Sequence, residues 1–143
     1  MPASIQIRDI FKALGDGLFM ANAEGRYINI NPAPCQMLGY AKDELLGLTL
    51  LDVLDPSEAA RLDETRREMS DLQIHRSEWL FNRKDGSVFV GELVGGQLPD
   101  GNLQSIVRDV SERLEREALE RTLRQEAAHR TKNVLAVVQT ILR

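Results

Sequence analysis

Apolar and polar residues alternate with a period of two between residues 74 and 83. One face of this segment carries His75, Ser77, Trp79, Phe81 and Arg83. Such alternation is typical of a half-buried β-strand, and the Lys-Asp-Gly-Ser turn that follows is a hairpin signal. The same pattern predicts four further strands, two earlier and two later in the chain, at 17–22, 26–30, 88–94 and 103–110.

Apolar residues at helical spacing lie before and between these strands. Asp55 can cap the longest of the internal helices, with Pro56 at its first position. The predicted helices before residue 111 are at 5–14, 35–38, 42–46 and 58–71. Together the elements predict an α+β domain with one five-stranded antiparallel sheet and flanking short helices.

The residues from 111 to 143 contain neither glycine nor proline and predict one helix roughly 50 Å long. Glutamates precede arginines by four residues at three places, Glu112–Arg116, Glu117–Arg121 and Glu120–Arg124; such pairs support a solvated helix. The apolar residues form two offset rows, Val110, Leu114 and Ala118, then Leu119, Leu123 and Ala127. A lone helix cannot bury such a seam, so we expect a homodimer through a coiled coil.

Composition narrows the function classes. The formal net charge is −4 and no basic stripe is present, which argues against nucleic-acid binding. The single cysteine, Cys35, fits a reducing compartment and a small core residue. The first residues lack a signal peptide, and no apolar run reaches the roughly 20 residues that span a bilayer. We therefore expect a cytoplasmic protein with no membrane contact and no metal site.

Three motifs resemble those of PAS sensor domains. They are Asn31-Pro32-Ala33 with Gly39-Tyr40 and Glu44-Leu45-Leu46-Gly47, then Arg83-Lys84-Asp85-Gly86-Ser87, then Asp109-Val110-Ser111-Glu112-Arg113. The resemblance implies a PAS fold, with Asp109, Val110, Ser111 and Arg113 coupling the sheet to an output helix. The expected organisation is an N-terminal amphipathic helix at 1–15, the PAS domain at 16–110, a coiled-coil signalling helix at 111–127 and the start of a phosphoacceptor helix at 128–143.

The segment His129-Arg130-Thr131-Lys132-Asn133, followed by Leu135-Ala136 and Val138-Gln139, resembles the phosphoacceptor box of HWE-type bacterial sensor histidine kinases. The resemblance implies that His129 accepts the γ-phosphoryl group of ATP and passes it to an aspartate of a response regulator. The ATP-binding domain, which would use ATP and magnesium, would follow residue 143. This region should therefore be inactive as a kinase alone.

The residues themselves suggest roles around the histidine. On a helix, His129 shares a face with Gln125, Glu126, Lys132 and Asn133. We hypothesise that Glu126 or Asn133 orients the imidazole, and that Lys132 or Arg130 stabilises the charge of the transferred phosphoryl group. An incidental histidine on a solvated helix is the alternative.

The ligand of the domain is left open. The apolar pocket candidates are Phe19, Ile28, Ile30, Met37, Leu38, Leu50, Leu54, Leu62 and Trp79. Leu50 occupies the position of the flavin-bonding cysteine of light-sensing relatives, and the long internal helix has no histidine, so the sequence argues against a cysteinyl flavin and against haem. A non-covalent flavin stacked on Trp79 stays open, as does a pocket that is simply core.

Two other functions stay open at this stage. One is a non-catalytic PAS module whose helix docks another protein. The other is a flavin-binding photo- or redox sensor. His75 is a lone histidine in a predicted strand, and we expect a surface or hydrogen-bonded residue there rather than a ligand.

Overall fold

The alternating segments form one antiparallel sheet of five strands. The computed structural model describes residues 15–68 and 74–141. The strands are β1 (Gly17–Ala21), β2 (Tyr27–Ile30), β3 (His75–Asn82), β4 (Val88–Gln97) and β5 (Leu103–Asp109). Their order across the sheet is β2-β1-β5-β4-β3, so the chain crosses from one edge of the sheet to the other between β2 and β3.

Short helices make that crossing. They are α1 (Ala33–Leu38), α2 (Lys42–Leu45), α3 (Leu50–Val53), a 3₁₀ turn at Pro56–Glu58, and α4 (Ala59–Glu68). The predicted cap is confirmed, because the Asp55 carboxylate accepts a hydrogen bond from the backbone N–H of Ser57. The helix predicted at 5–14 and the predicted end of α4 lie outside the described residues.

The core lies between one face of the sheet and these helices. Alternation in β3 places Trp79 and Phe81 inward as predicted, and Phe81 stacks on Phe89 of β4 with 5.2 Å between ring centroids. Leu38, Leu45 and Val53 of the helices are fully buried, as the core faces of amphipathic segments should be. The predicted fold class is therefore confirmed.

A long helix follows the sheet. Helix α5 runs without interruption over Ser111–Ile141, 31 residues, as the lack of glycine and proline predicts. Residues up to Val110 and residues from Ser111 onward form two separate compact units. Within the described residues, none of the helices combines the length and the hydropathy that crossing a membrane requires.

Candidate functional site

A cavity of about 290 Å³ lies against the inner face of the sheet, with α3 and α4 contributing to its wall. Its apolar lining comes chiefly from Leu50, Leu62, Leu93, Leu103 and Trp79. The volume is at the lower end of the range of ligand pockets, about 300–1,000 Å³. The cavity is therefore large enough for a small organic molecule.

The predicted pocket residues divide into two groups. Leu50, Leu62 and Trp79 line the cavity. Outside its lining lie Phe19, Ile30, Leu38 and Leu54, which are buried in the core, and Met37, which packs against that core.

Ile28 requires a correction. Its side chain is 46% exposed, and it does not line the cavity. In the edge strand β2 the end residues Tyr27 and Ile30 are buried, whereas Ile28 and Asn29 between them are both exposed. Ile28 lies where the pairing with β1 shifts register, so the two-residue alternation is interrupted there. The sequence identified the strand correctly but assigned the wrong apolar residue to its inner face.

Trp79 is held tightly in the cavity wall. Its indole Nε1 donates a hydrogen bond to Ser77 Oγ at 2.6 Å. The guanidinium of Arg61 lies 3.9 Å from the ring centroid and donates a hydrogen bond to the carbonyl of Glu78. One face of the indole is therefore already covered, which leaves less of it for stacking on a flavin.

The polar lining was not foreseen. The cavity is also lined by Tyr27, Arg66, His75, Ser77, Gln97 and Gln104. Nε2 of His75 is buried, and no group in the described part of the chain hydrogen-bonds to it. The alternation in β3 already placed His75 on the inner face with Trp79; the signal was present in the sequence and was outweighed by the usual exposure of lone histidines.

Tyr27 and Arg66 lie at the same side of the cavity. Burial raises the pKa of the Tyr27 phenol well above its ordinary value, and the positive charge of Arg66 opposes part of that rise. A Cβ atom built on Gly25 would lie 3.3 Å from Nη2 of Arg66, which places the guanidinium over the β1–β2 turn. The Tyr27 hydroxyl therefore stays protonated and can donate a hydrogen bond.

The residues do not fit a cysteinyl flavin. Leu50 lines the cavity without a thiol, and Cys35 packs against the core instead.

The end of the sheet is tied to the β3–β4 hairpin. Nη2 of Arg83 lies 3.3 Å from Oδ2 of Asp109, and Nε of Arg83 donates a hydrogen bond to the carbonyl of Met37 in α1. The N–H of Val110 bonds to the carbonyl of Val90 in β4. Of the predicted coupling residues, Asp109 and Val110 thus contact the neighbouring strands directly. Arg113 forms an ion pair with Glu117 along α5.

The predicted phosphoacceptor lies on an exposed stretch of α5. His129, Arg130, Lys132, Asn133 and Glu126 are all exposed. Nδ2 of Asn133 lies 3.2 Å from Nδ1 of His129. In the part of the chain that the structure describes, no contact joins Glu126 to the ring.

This contact bears on the histidine tautomer. If the amide oxygen of Asn133 faces the ring, it accepts a hydrogen bond from Nδ1–H and leaves the lone pair of Nε2 free. Exchanging the amide oxygen and nitrogen changes little in the heavy-atom positions. With Nδ2 facing the ring, the amide donates to Nδ1 and the ring proton lies on Nε2. Turning the amide over would favour the tautomer in which Nε2 is the free nucleophile.

Comparisons with known proteins identify the fold family. The model of the PAS domain family matches residues 15–112. A domain of the sensory box sensor histidine kinase/response regulator from Geobacter sulfurreducens is 30% identical, with a TM-score of 0.61, and the match covers 71% of this chain and 92% of that one. Among curated proteins, none is similar enough to count as a relative.

Two further solved structures share the fold at lower identity. A PAS domain from a two-component sensor histidine kinase is 19% identical, with a TM-score of 0.59 and coverage of 71% of this chain and 91% of that one. A light-oxygen-voltage domain studied with a flavin analogue is 19% identical, with a TM-score of 0.60 and coverage of 81% and 93%. At this identity the likeness is one of fold alone. From the family match and the Geobacter relative, this chain belongs to the PAS domain family.

Proposed function

We propose that this chain is the sensory and dimerising region of an HWE-type two-component sensor histidine kinase, with His129 as the phosphoacceptor. The observation that carries the proposal is an exposed histidine, contacted at Nδ1 by Asn133, on the helix that directly follows a PAS sheet. The Geobacter relative, described as part of a sensor histidine kinase/response regulator, supports this context.

The proposed chemistry is a phosphoryl transfer to nitrogen. The Nε2 lone pair of His129 attacks the γ-phosphorus of ATP; the P–N bond forms while the P–O bond to ADP breaks. In this step the Asn133 amide is turned over, so that Oδ1 accepts the Nδ1–H and stabilises the imidazolium that results. Arg130 and Lys132, both exposed near the ring, offset the charge of the phosphoryl group before a receiver aspartate takes it.

The proposed signal path runs through the end of β5. Arg83 contacts both Asp109 and the carbonyl of Met37. A movement of α1 or of the β3–β4 hairpin would therefore displace the end of β5. We infer that ligand binding shifts this strand and changes how Ser111 and Arg113 begin the helix.

The proposed dimer uses α5. Its exposed apolar residues are Leu119, Leu123, Val134, Leu135, Val137, Val138 and Ile141. A second copy of the same helix would cover such a row in a coiled coil. The histidines of both copies would then be available to the ATP-binding domains of the kinase.

The test uses the kinase with its ATP-binding domain and radiolabelled ATP. His129→Ala should abolish the base-stable, acid-labile label, whereas Arg67→Gln, which alters an exposed residue outside the cavity, should keep it. Retention of the label in His129→Ala, or its loss in Arg67→Gln alone, would refute the assignment.

A second candidate is a non-catalytic PAS interaction module, which the same exposed residues of α5 also support. The two differ in one result, because the module would form its complex but never acquire phosphohistidine. A non-covalent flavin is tested separately by the absorbance of the supernatant after denaturation.

A further inference from the structure

One row of paired residues across the sheet, in the lining of the cavity, includes two residues with little or no side chain. His75 of β3 lies opposite Gly95 of β4, and Gly95 lies opposite Ser105 of β5. Directly paired residues in antiparallel strands share a face, so these three residues line the cavity beside one another. Gly95 has no side chain and that of Ser105 is small, so His75 has no bulky side chain beside it in this row and borders the cavity.

Several polar groups around this space can donate a hydrogen bond. The Tyr27 hydroxyl stays protonated, Ser77 Oγ keeps a proton to donate while it accepts from Trp79, and His75 Nε2 has no partner among the described residues. Arg66 adds a fork of donors at the mouth, and the described residues supply no carboxylate that forms an ion pair with it. A site rich in donors with one guanidinium suits an anion.

One acidic group also lines the mouth. Glu24 lies in the β1–β2 turn and is exposed, so its carboxylate is solvated. Among the described residues, the titratable groups that line the cavity are Glu24, Tyr27, Arg66 and His75. Arg66 is the one arginine among these described residues, and the leucines and Trp79 make much of the wall apolar. A ligand with a single negative group on an apolar body therefore matches best.

We propose that the cavity binds a small organic carboxylate, with its apolar body among Leu50, Leu62 and Trp79 and its carboxylate at Arg66, Tyr27 and His75. The proposal rests on the sensory role proposed above and names the chemical class of the signal. The guanidinium binds the carboxylate in the bidentate geometry that arginine favours.

The test compares acids with their neutral amides. The probes are benzoate, phenylacetate and 3-phenylpropionate, each beside its primary amide of the same shape, titrated by calorimetry and by ¹H–¹⁵N NMR. We expect at least one acid to bind, and we expect the affinity of its amide to be at least about tenfold lower. The reason is that hydrogen bonds to charged groups are stronger than those to neutral groups. Amide shifts should concentrate at Ser77, Gly95 and Gly96.

A matched pair of variants locates the charge. Arg66→Gln should weaken the acid at least about tenfold and leave the amide unchanged, whereas Arg67→Gln alters an exposed neighbour outside the cavity and should change neither. Both positions are exposed, and circular dichroism confirms folding. Equal affinity for acid and amide, an unaffected Arg66→Gln, or no binding of any acid at millimolar concentration would each overturn the proposal.

The failures of the two proposals are distinguishable. Binding of an acid without any change in His129 labelling would leave the cavity assignment standing and contradict the sensory role. Labelling of His129 without binding of any acid would leave the phosphoacceptor assignment standing and contradict the carboxylate site.

Discussion

Asn31, in the motif that opens α1, joins two backbone groups that the fold removes from water. Its Oδ1 accepts a hydrogen bond from the N–H of Leu18 at 2.8 Å, and its Nδ2 donates one to the carbonyl of Asp16 at 3.0 Å. Asn31→Ala removes both partners and leaves a donor and an acceptor unsatisfied. Each such group costs about 1–3 kcal/mol. Because the Leu18 bond is only part-buried, we expect a loss of about 2–4 kcal/mol in the free energy of unfolding.

Urea unfolding followed by tryptophan fluorescence measures this loss. Trp79 is the only tryptophan and is 3% exposed, so its emission reports the PAS unit. Asn29→Ala, on the exposed side of β2, is the matched control and should stay within about 0.5 kcal/mol of the parent. An Asn31→Ala variant as stable as this control would refute the hydrogen-bond argument and would point to a role for the motif outside stability.

Three further perturbations test other parts of the structure. Gly91→Ala should lower stability by about 1–3 kcal/mol, measured by thermal unfolding, because its new methyl group meets the ring of Phe81; an unchanged melting temperature would contradict this packing. Hydrogen bonds from Ser57, from its side chain first, lower the pKa of Asp55 below its ordinary 3.8, so their stabilisation is present above that pH and lost as the pH falls through the lowered value. In Ser57→Ala the urea concentration at half-unfolding should therefore fall less steeply as the pH is lowered. The same decrease in the parent and in the variant would contradict this reasoning. In the labelled kinase, Asn133→Asp keeps an acceptor for Nδ1–H and should retain phosphorylation, Asn133→Leu should slow it, and equal rates would exclude a role in fixing the tautomer.

The sequence predicts most of the elements because their signals are local, although the single turn of α3 (Leu50–Val53) is absent from the prediction. The period of two in β3, the cap at Asp55 and the lack of breakers in α5 each depend on residues close in the chain. The α+β class with a five-stranded antiparallel sheet follows from their order, whereas the PAS family follows from the resemblance of the three motifs. The assignment of Ile28 failed because the inner face of a short edge strand depends on its pairing, and the pairing of β1 with β2 shifts register between Met20 and Ala21.

The cavity was beyond such reasoning because it depends on residues brought together across three strands. In the sequence, Gly91 and Gly95 look alike, each a residue that weakens a strand. In the fold each glycine allows a close approach, but to a different neighbour. A Cβ on Gly91 would lie 2.6 Å from the Phe81 ring, whereas a Cβ on Gly95 would lie 2.7 Å from the carbonyl oxygen of Gln104 and 2.8 Å from Cβ of Ser105. The first glycine makes room for a core ring and the second for the neighbouring strand β5. Only the register distinguishes them, and the same register places His75 in the lining of the cavity.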